Sequence, residues 1–319
     1  MTAPSFRPHD LLPMRLVSER TGLSADVLRA WERRHGVVAP ERSPGGQRWY
    51  TEADVQRLRL LARAVEAGRS ISTVATLSAE ALVDVVRSEE ASILARGTRY
   101  ALAGQPFLAE SSGAVERLDG SALEATLRQA TLRLNIDELL DGVISPLVRM
   151  VGDRWHSGQL SPAHEHLTTA VIRRLLGWLA EQYAPAADAP AVLVTTPAGQ
   201  MHEVGASLAA ATAAACGWRV VYLGPNLPAR DIASACRTSG ARAVALSIVF
   251  PENDPLMDGE LRTLRAALDD DLPIVAGGGG VAAYRPSLDA IGATVVTDLP
   301  SLRHWLHDHE AGTAGSTGH

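Results

Sequence analysis

The feature that most constrains this chain is a change of hydrophobic period near residue 190. Before it, apolar residues recur at three- and four-residue spacing, as in Leu123, Leu127, Ala130 and Leu134, and again in Leu139, Leu140, Val143, Leu147, Val148 and Val151. That spacing lines one stripe of a helix. After it, short apolar runs at 191–195, 219–223, 243–249, 274–276 and 294–296 alternate with helical stretches. Strand and helix in strict alternation predict a parallel sheet covered on both faces, the doubly wound α/β class. The change of period therefore demands two differently built bodies in series. Ala184-Pro-Ala-Ala-Asp-Ala-Pro190 between them has the composition of a linker.

Composition narrows the function classes. Hydrophobic residues make up 46% of the 319, enough for real cores and too many for a wholly disordered chain. No apolar stretch reaches the roughly 18 residues of a membrane span, and the N-terminus carries no secretory pattern. Cys216 and Cys236 are the only cysteines, which argues against a disulfide framework or a cysteine-rich metal site. A cytoplasmic location without membrane attachment is expected. The net charge of -6 disfavours nucleic-acid binding on its face, yet residues 1–70 hold 12 arginines against 8 acids, a net of +4 that leaves -10 for the remainder. A basic end on an acidic body suggests one module that meets a polyanion. Every basic residue is Arg, a bias that runs through the chain and reflects genome composition more than function.

Residues 14–34 read as a helix, a turn at Gly22 and a second helix opened by Ser24 and carrying Arg29, Arg33 and Arg34, followed by His35. That is a helix-turn-helix layout, in which the second helix enters the major groove. Ser43-Pro44-Gly45-Gly46, flanked by Arg42 and by Arg48 and Tyr50, predicts a tight hairpin able to act as a wing. Thr-Gly-Leu-Ser24, Leu28-Arg-Ala-Trp-Glu-Arg-Arg-His-Gly36, Pro40-Glu-Arg42, Gly46-Gln-Arg-Trp-Tyr50 and Asp54-Val-Gln-Arg-Leu58 together resemble the MerR winged-helix signature, with Ala30-Trp31-Glu32 where that family has Tyr-Tyr-Glu. The resemblance implies operator DNA as partner and Arg29, Arg33, Arg34, His35, Arg42, Arg48 and Tyr50 as DNA-contacting residues. No long dimerisation helix is expected to follow, because a Gly/Ser/Pro-bearing stretch at 104–120 breaks the helical pattern.

Within 78–184, Gly158 ends one helix, and Ser161 with Pro162 opens the next. Trp155 and His156 thereby close the first helix, and His164, Glu165 and His166 start the second. These histidines lack the i, i+4 pairing of helical zinc motifs, and His164 by itself reads as a surface or satisfied histidine. In the α/β segment, the loop after the first strand carries Gln200-Met-His202-Glu-Val-Gly205 at the strand ends where ligands bind. Ser247 ends the third strand and Gly277, Gly278, Gly279 and Gly280 follow the fourth.

Trp155, nine intervening residues, then Glu165-His166 is similar to the helical cap of CarH/LitR-type cobalamin photoreceptors, and His202-x-x-Gly205, Ser247 and the glycine run resemble the cobalamin-binding signature that follows it. The resemblance implies adenosylcobalamin as cofactor, with His202 as the lower cobalt ligand. It places Trp155, Glu165 and His166 at the upper face, and His156 as an upper ligand after light. It further implies that Gly205, Ser247, Gly277, Gly278 and Gly279 make room for the nucleotide tail. Gln200 stands where the signature has an acid, and Ile248-Val249 follows Ser247 where it has x-Leu. An uncharged amide accepting from the imidazole would leave His202 a less basic ligand.

The expected organisation is a winged helix over 13–77, a four-helix-bundle cap over 78–184, a linker over 185–190, an α/β domain over 191–309, and flexible tails over 1–12 and 310–319. The expected function is that of a DNA-binding, light-responsive repressor without enzymatic activity, a tetramer in the dark that releases DNA after photolysis. Alternatives are a corrinoid carrier or methyltransferase-type protein, and a MerR-type regulator answering to another ligand or an additional chromophore.

Overall fold

The computed structural model describes residues 11–310 except Pro44, Gly68, Ala184 and Ala187. The expected tails therefore lie almost wholly outside the described residues. At their inner edges the tail boundaries move: Leu12 already belongs to a strand and Glu310 closes a helix. The chain divides into two compact units, Met1–Ala95 and Arg96–His319.

The first unit contains β1 (Leu12–Pro13), α1 (Met14–Thr21), α2 (Ala25–His35), β2 (Glu41–Arg42), β3 (Arg48–Tyr50), α3 (Glu52–Glu66), α4 (Ile71–Val74) and the start of α5 (Ala79–Glu116). Gly22 ends α1 in the left-handed region, and the Ser24 hydroxyl accepts the Val27 N–H to open α2, the cap chemistry that fixes a tight turn between helices. Strand β3 pairs antiparallel with both β1 and β2, so the hairpin read from the turn residues is present and gains a third strand. Val17, Leu28, Tyr50, Val55, Leu58 and Leu61 are buried at its centre. Arg57 donates to three backbone carbonyls, of Val37, Ala75 and Leu77, satisfying loop acceptors that would otherwise be stranded.

Helix α5 corrects the sequence reading. It runs unbroken for 38 residues with Pro106 inside it, so a long helix does follow the winged helix. Proline withholds a hydrogen bond from the carbonyl four residues back, here that of Leu102, a residue on the exposed side of the helix. Gly104 does not break the helix; it permits a close crossing. A Cβ there would collide with the Gly142 carbonyl, and one at Gly142 with that of Tyr100.

The second unit pairs a helical bundle with an α/β domain. The bundle comprises the later part of α5, α6 (Gly120–Arg133), α7 (Ile136–Leu139), a π-helical turn over Leu140–Ile144, α8 (Ser145–His156) and α9 (Pro162–Gln182). Leu123, Leu127, Leu140, Ile144, Leu147 and Ile172 fill it. The α/β domain follows as β4 (Ala191–Thr195), α10 (Val204–Ala215), β5 (Arg219–Tyr222), α11 (Ala229–Ser239), β6 (Ala243–Ser247), α12 (Met257–Ala267), β7 (Ile274–Gly277), α13 (Arg285–Ala290), β8 (Thr294–Val295) and α14 (Leu299–Glu310). All five strands are parallel, in the order β5-β4-β6-β7-β8. The order reverses between β4 and β6, so the loops leaving those two strands diverge and frame the crevice of a doubly wound sheet.

The bundle packs on α10, whose Leu208 and Ala211 join its core. Two ion-pair groups tie the same faces. Arg173 of α9 pairs with Glu203, which also accepts from the Tyr222 hydroxyl. Arg303 of α14 pairs with Asp141 in the π turn and lies 3.2 Å from Asp137. Burial raises the Asp141 carboxyl above the usual carboxylate range, and the Arg303 charge works against that rise. Burial pushes the Cys236 thiol up to about 11 and raises Cys216 as well. Cys236 is thus a core residue and Cys216 a half-buried one, both with little thiolate.

Candidate cobalamin site and nucleic-acid interface

On α2, Arg33 and Arg34 are exposed and have no ion-pair partner among the described residues. Arg29 is held by Asp26 at 2.6 Å, and His35 is half-buried. Glu32 faces the hairpin and pairs with Arg48 at 2.6 Å and Arg42 at 3.5 Å. One carboxylate from the second helix thereby fixes the wing against it. Tyr50 is corrected: it is fully buried, its hydroxyl has no hydrogen-bond partner among the described residues, and burial raises its pKa. It is a core residue under the wing and cannot touch DNA. The surface left for a phosphate backbone is the exposed edge of α2 with the outer guanidinium of Arg42.

In the second unit the cap and the sheet loops meet at four rings. Trp155 and His156 end α8, capped by Ser157 with Gly158 in the left-handed region. Their rings are 4.7 Å apart. Trp155 lies 6.4 Å from the His202 ring, and Phe250, from the loop after β6, lies 6.0 Å from His202 and 6.3 Å from His156. The His156 Nδ1 sits 2.8 Å from the Gly152 carbonyl oxygen. A proton on Nδ1 makes that bond, which leaves the Nε2 lone pair free as a ligand. Glu165 accepts from the Thr169 hydroxyl at 2.8 Å and lies 2.9 Å from the His166 Nδ1. His164 instead closes a capping box with Ser161, the satisfied role expected of it.

His202 stands on a loop braced from several sides. The Thr196 hydroxyl donates to the Gln200 carbonyl and accepts the Asn226 N–H, and the Asn226 side chain accepts the Gly199 N–H. Gln200 departs from the sequence reading. Its side chain is fully buried, accepts the Val249 N–H at 2.8 Å and donates to the Pro251 carbonyl at 3.0 Å. Each end of the amide holds a main-chain group of the loop after β6, and no hydrogen bond joins Gln200 to the His202 imidazole among the described residues. Sequence reasoning also missed Phe250. Its only signal was an aromatic just past a strand end, in a chain with three phenylalanines.

Beneath His202, a Cβ at Gly205 would collide with the Ser247 hydroxyl, which is buried and without a partner among the described residues. A loop imidazole, a glycine whose missing Cβ leaves room for the Ser247 hydroxyl, and that hydroxyl left without a partner suit a cobalamin with its tail directed into the sheet. The glycine run has a second cause. At Gly278, with φ of 110°, a Cβ would strike the Ile248 main chain, so the fold itself requires that glycine; Gly279 faces open space and Gly277 sits against Val296.

Comparison with known proteins agrees with this arrangement. Residues 12–81 match the MerR HTH family of regulatory proteins, and residues 109–180 and 190–298 match two B12 binding domain families. The chain is 31% identical to the HTH-type transcriptional repressor CarH of Myxococcus xanthus over 85% of its length and 89% of the relative's. The chain belongs to the CarH/CarA family. The repressor CarA of the same organism is 30% identical over 88% of this chain and 91% of its own. A monomethylamine corrinoid protein from Methanosarcina barkeri shares the fold of the second unit, with a TM-score of 0.53 at 15% identity over 64% of this chain and 99% of that one. As a CarH/CarA member with a MerR module and B12 binding domains, the chain is a cobalamin-binding, DNA-binding regulator and not an enzyme. No described helix is long and apolar enough to cross a membrane.

Proposed function

We propose that this regulator is a cytoplasmic, light-responsive repressor that holds adenosylcobalamin between its cap and its sheet. The modules are a winged helix over 12–77, a cap over 78–184 and an α/β domain over 191–310. The observation that carries the reading is the meeting of Trp155 of the cap, itself edge-on to His156, with His202 of the sheet loop. Bound adenosylcobalamin would supply a light-labile cobalt–carbon bond. The residues supply the rest. His202 would offer its imidazole to the cobalt, Trp155 and the Glu165–His166 pair would shield the bound group, and His156, whose Nδ1 is engaged by the Gly152 carbonyl, would offer its Nε2. Gly205 and Ser247 admit and bind the tail, with Gly277, Gly278 and Gly279 at its margin.

At 6.4 Å the Trp155 and His202 rings are within ordinary aromatic contact range. A macrocycle therefore enters only if the cap edge moves outward, and cofactor occupancy is converted into cap position. Cap position then sets assembly, a tetramer in the dark, and joined winged helices hold operator DNA far more tightly than separate ones. The relatives' names as repressors support repression as the output.

The test is DNA binding and molecular size with adenosylcobalamin in the dark and after green light, with hydroxocobalamin as control. A larger assembly that binds DNA in the dark and comes apart on illumination is expected. Identical size and affinity in all three samples would refute the light response.

A further inference from the structure

We infer that Phe250 is a positioning residue of the cobalamin site, an aromatic wall shared by the His202 and His156 imidazoles that orients both for the cofactor. The inference rests on the cobalamin reading and adds to it a residue from a third element. The Phe250 ring meets His202 edge-on at 6.0 Å and His156 at 6.3 Å, so it touches both imidazoles, which come from separate parts of the fold. Its place is fixed by its neighbours. Gln200 clamps Val249 before it and Pro251 after it. The Tyr284 hydroxyl donates to the same Pro251 carbonyl at 2.7 Å and accepts the Asp254 N–H at 2.7 Å.

Despite this bracing the ring is 49% exposed, and Met201, beside His202 in sequence, is 63% exposed. Holding an aromatic ring rigid and half in water gains little for the fold, whereas a rigid apolar wall beside a ligand imidazole serves a large, largely apolar ligand. The clamp also accounts for Gln200. An amide can accept from one main-chain group and donate to the other, and a carboxylate would face the Pro251 carbonyl with a like partial charge.

The experiment uses the full chain with Phe250→Ala, Phe250→Tyr and Gln200→Glu. Without cofactor, NMR of the histidine ring protons should show His156 and His202 shifted in Phe250→Ala and close to wild type in Phe250→Tyr. With hydroxocobalamin, the absorption spectrum of Phe250→Ala should move from imidazole-ligated toward water-ligated at the upper face. Gln200→Glu should move it the same way by a smaller amount, and Phe250→Tyr should restore the wild-type spectrum. Melting curves check that each variant is folded. Unchanged ring shifts and spectra in folded Phe250→Ala would overturn the inference while leaving the site intact. Undiminished hydroxocobalamin binding by His202→Ala would instead overturn the reading on which it rests.

Discussion

Replacing Arg303 by Met strips the charge from the latch that joins α14 to the cap. Arg303 and Asp141 side chains are 18% and 13% exposed, so the variant strands a carboxylate in a nearly closed site. Breaking a buried pair from one side costs about 3–5 kcal/mol. For a body of this size, at roughly 2–4 °C per kcal/mol, melting should fall by about 6–20 °C. The loss has a definite pH dependence. The folded carboxyl titrates above its ordinary value because burial, with the Asp137 and Asp298 charges beside it, outweighs the pairing with Arg303, so the folded state keeps a proton that the unfolded chain has already lost. Stability then falls as pH rises from about 4 through that raised value. Removing Arg303 takes away the opposing charge, raises the carboxyl further and widens the window. The deficit of Arg303→Met should therefore be larger at pH 8 than at pH 5, and Asp141→Asn in the same chain should recover most of it. Melting of the ligand-free protein by circular dichroism at both pH values reads all three. A variant that melts within 2 °C of wild type at pH 8, or loses more at pH 5, would refute the reasoning.

The other predictions concern the two interfaces. Arg33→Ala with Arg34→Ala should weaken DNA binding and lower the slope of log affinity against log salt by about 2, measured by fluorescence anisotropy; an unchanged slope removes α2 from the phosphate contacts. Tyr50→Phe should leave DNA affinity and melting temperature near wild type, because it deletes a buried hydroxyl without a partner; a tenfold loss of affinity would restore Tyr50 to the interface. Gly205→Ala should cost little in melting, since a small rotatable hydroxyl can turn away and alanine favours a helix, yet it should impair cobalamin binding by titration. Equal binding would separate Gly205 from the tail path.

The α/β half was legible because short apolar runs are bounded by turn residues, and the central strands β4, β6 and β7 are buried on both faces, which leaves no other periodicity; β4 falls on 191–195 as read. The caps at Ser24, Gly158 and Ser161 were legible for the same local reason. Helix α5 was not. Gly104 and Pro106 are breakers by local propensity, and only the tertiary crossing at Gly142 and the exposed side of the helix at Leu102 show why the helix survives them. Gln200 and Phe250 were hidden differently. Their partners lie about fifty residues away in another loop, at Val249 and Pro251 for one and His202 for the other, and spacing within a motif carries no trace of such contacts. Tyr50 shares its strand face with Arg48, which Glu32 holds half-buried, so strand alternation could not tell a DNA-facing arginine from a core tyrosine.

The central claim is that an imidazole on the loop after β4 and a helical lid hold one corrinoid between them. Absorption spectroscopy of wild type and His202→Ala mixed with adenosylcobalamin in the dark and freed of excess by gel filtration tests it most directly. The account predicts a retained, base-off, histidine-ligated spectrum for wild type and loss of pigment for the variant. Retention of the same spectrum by both proteins, or by neither, would contradict it.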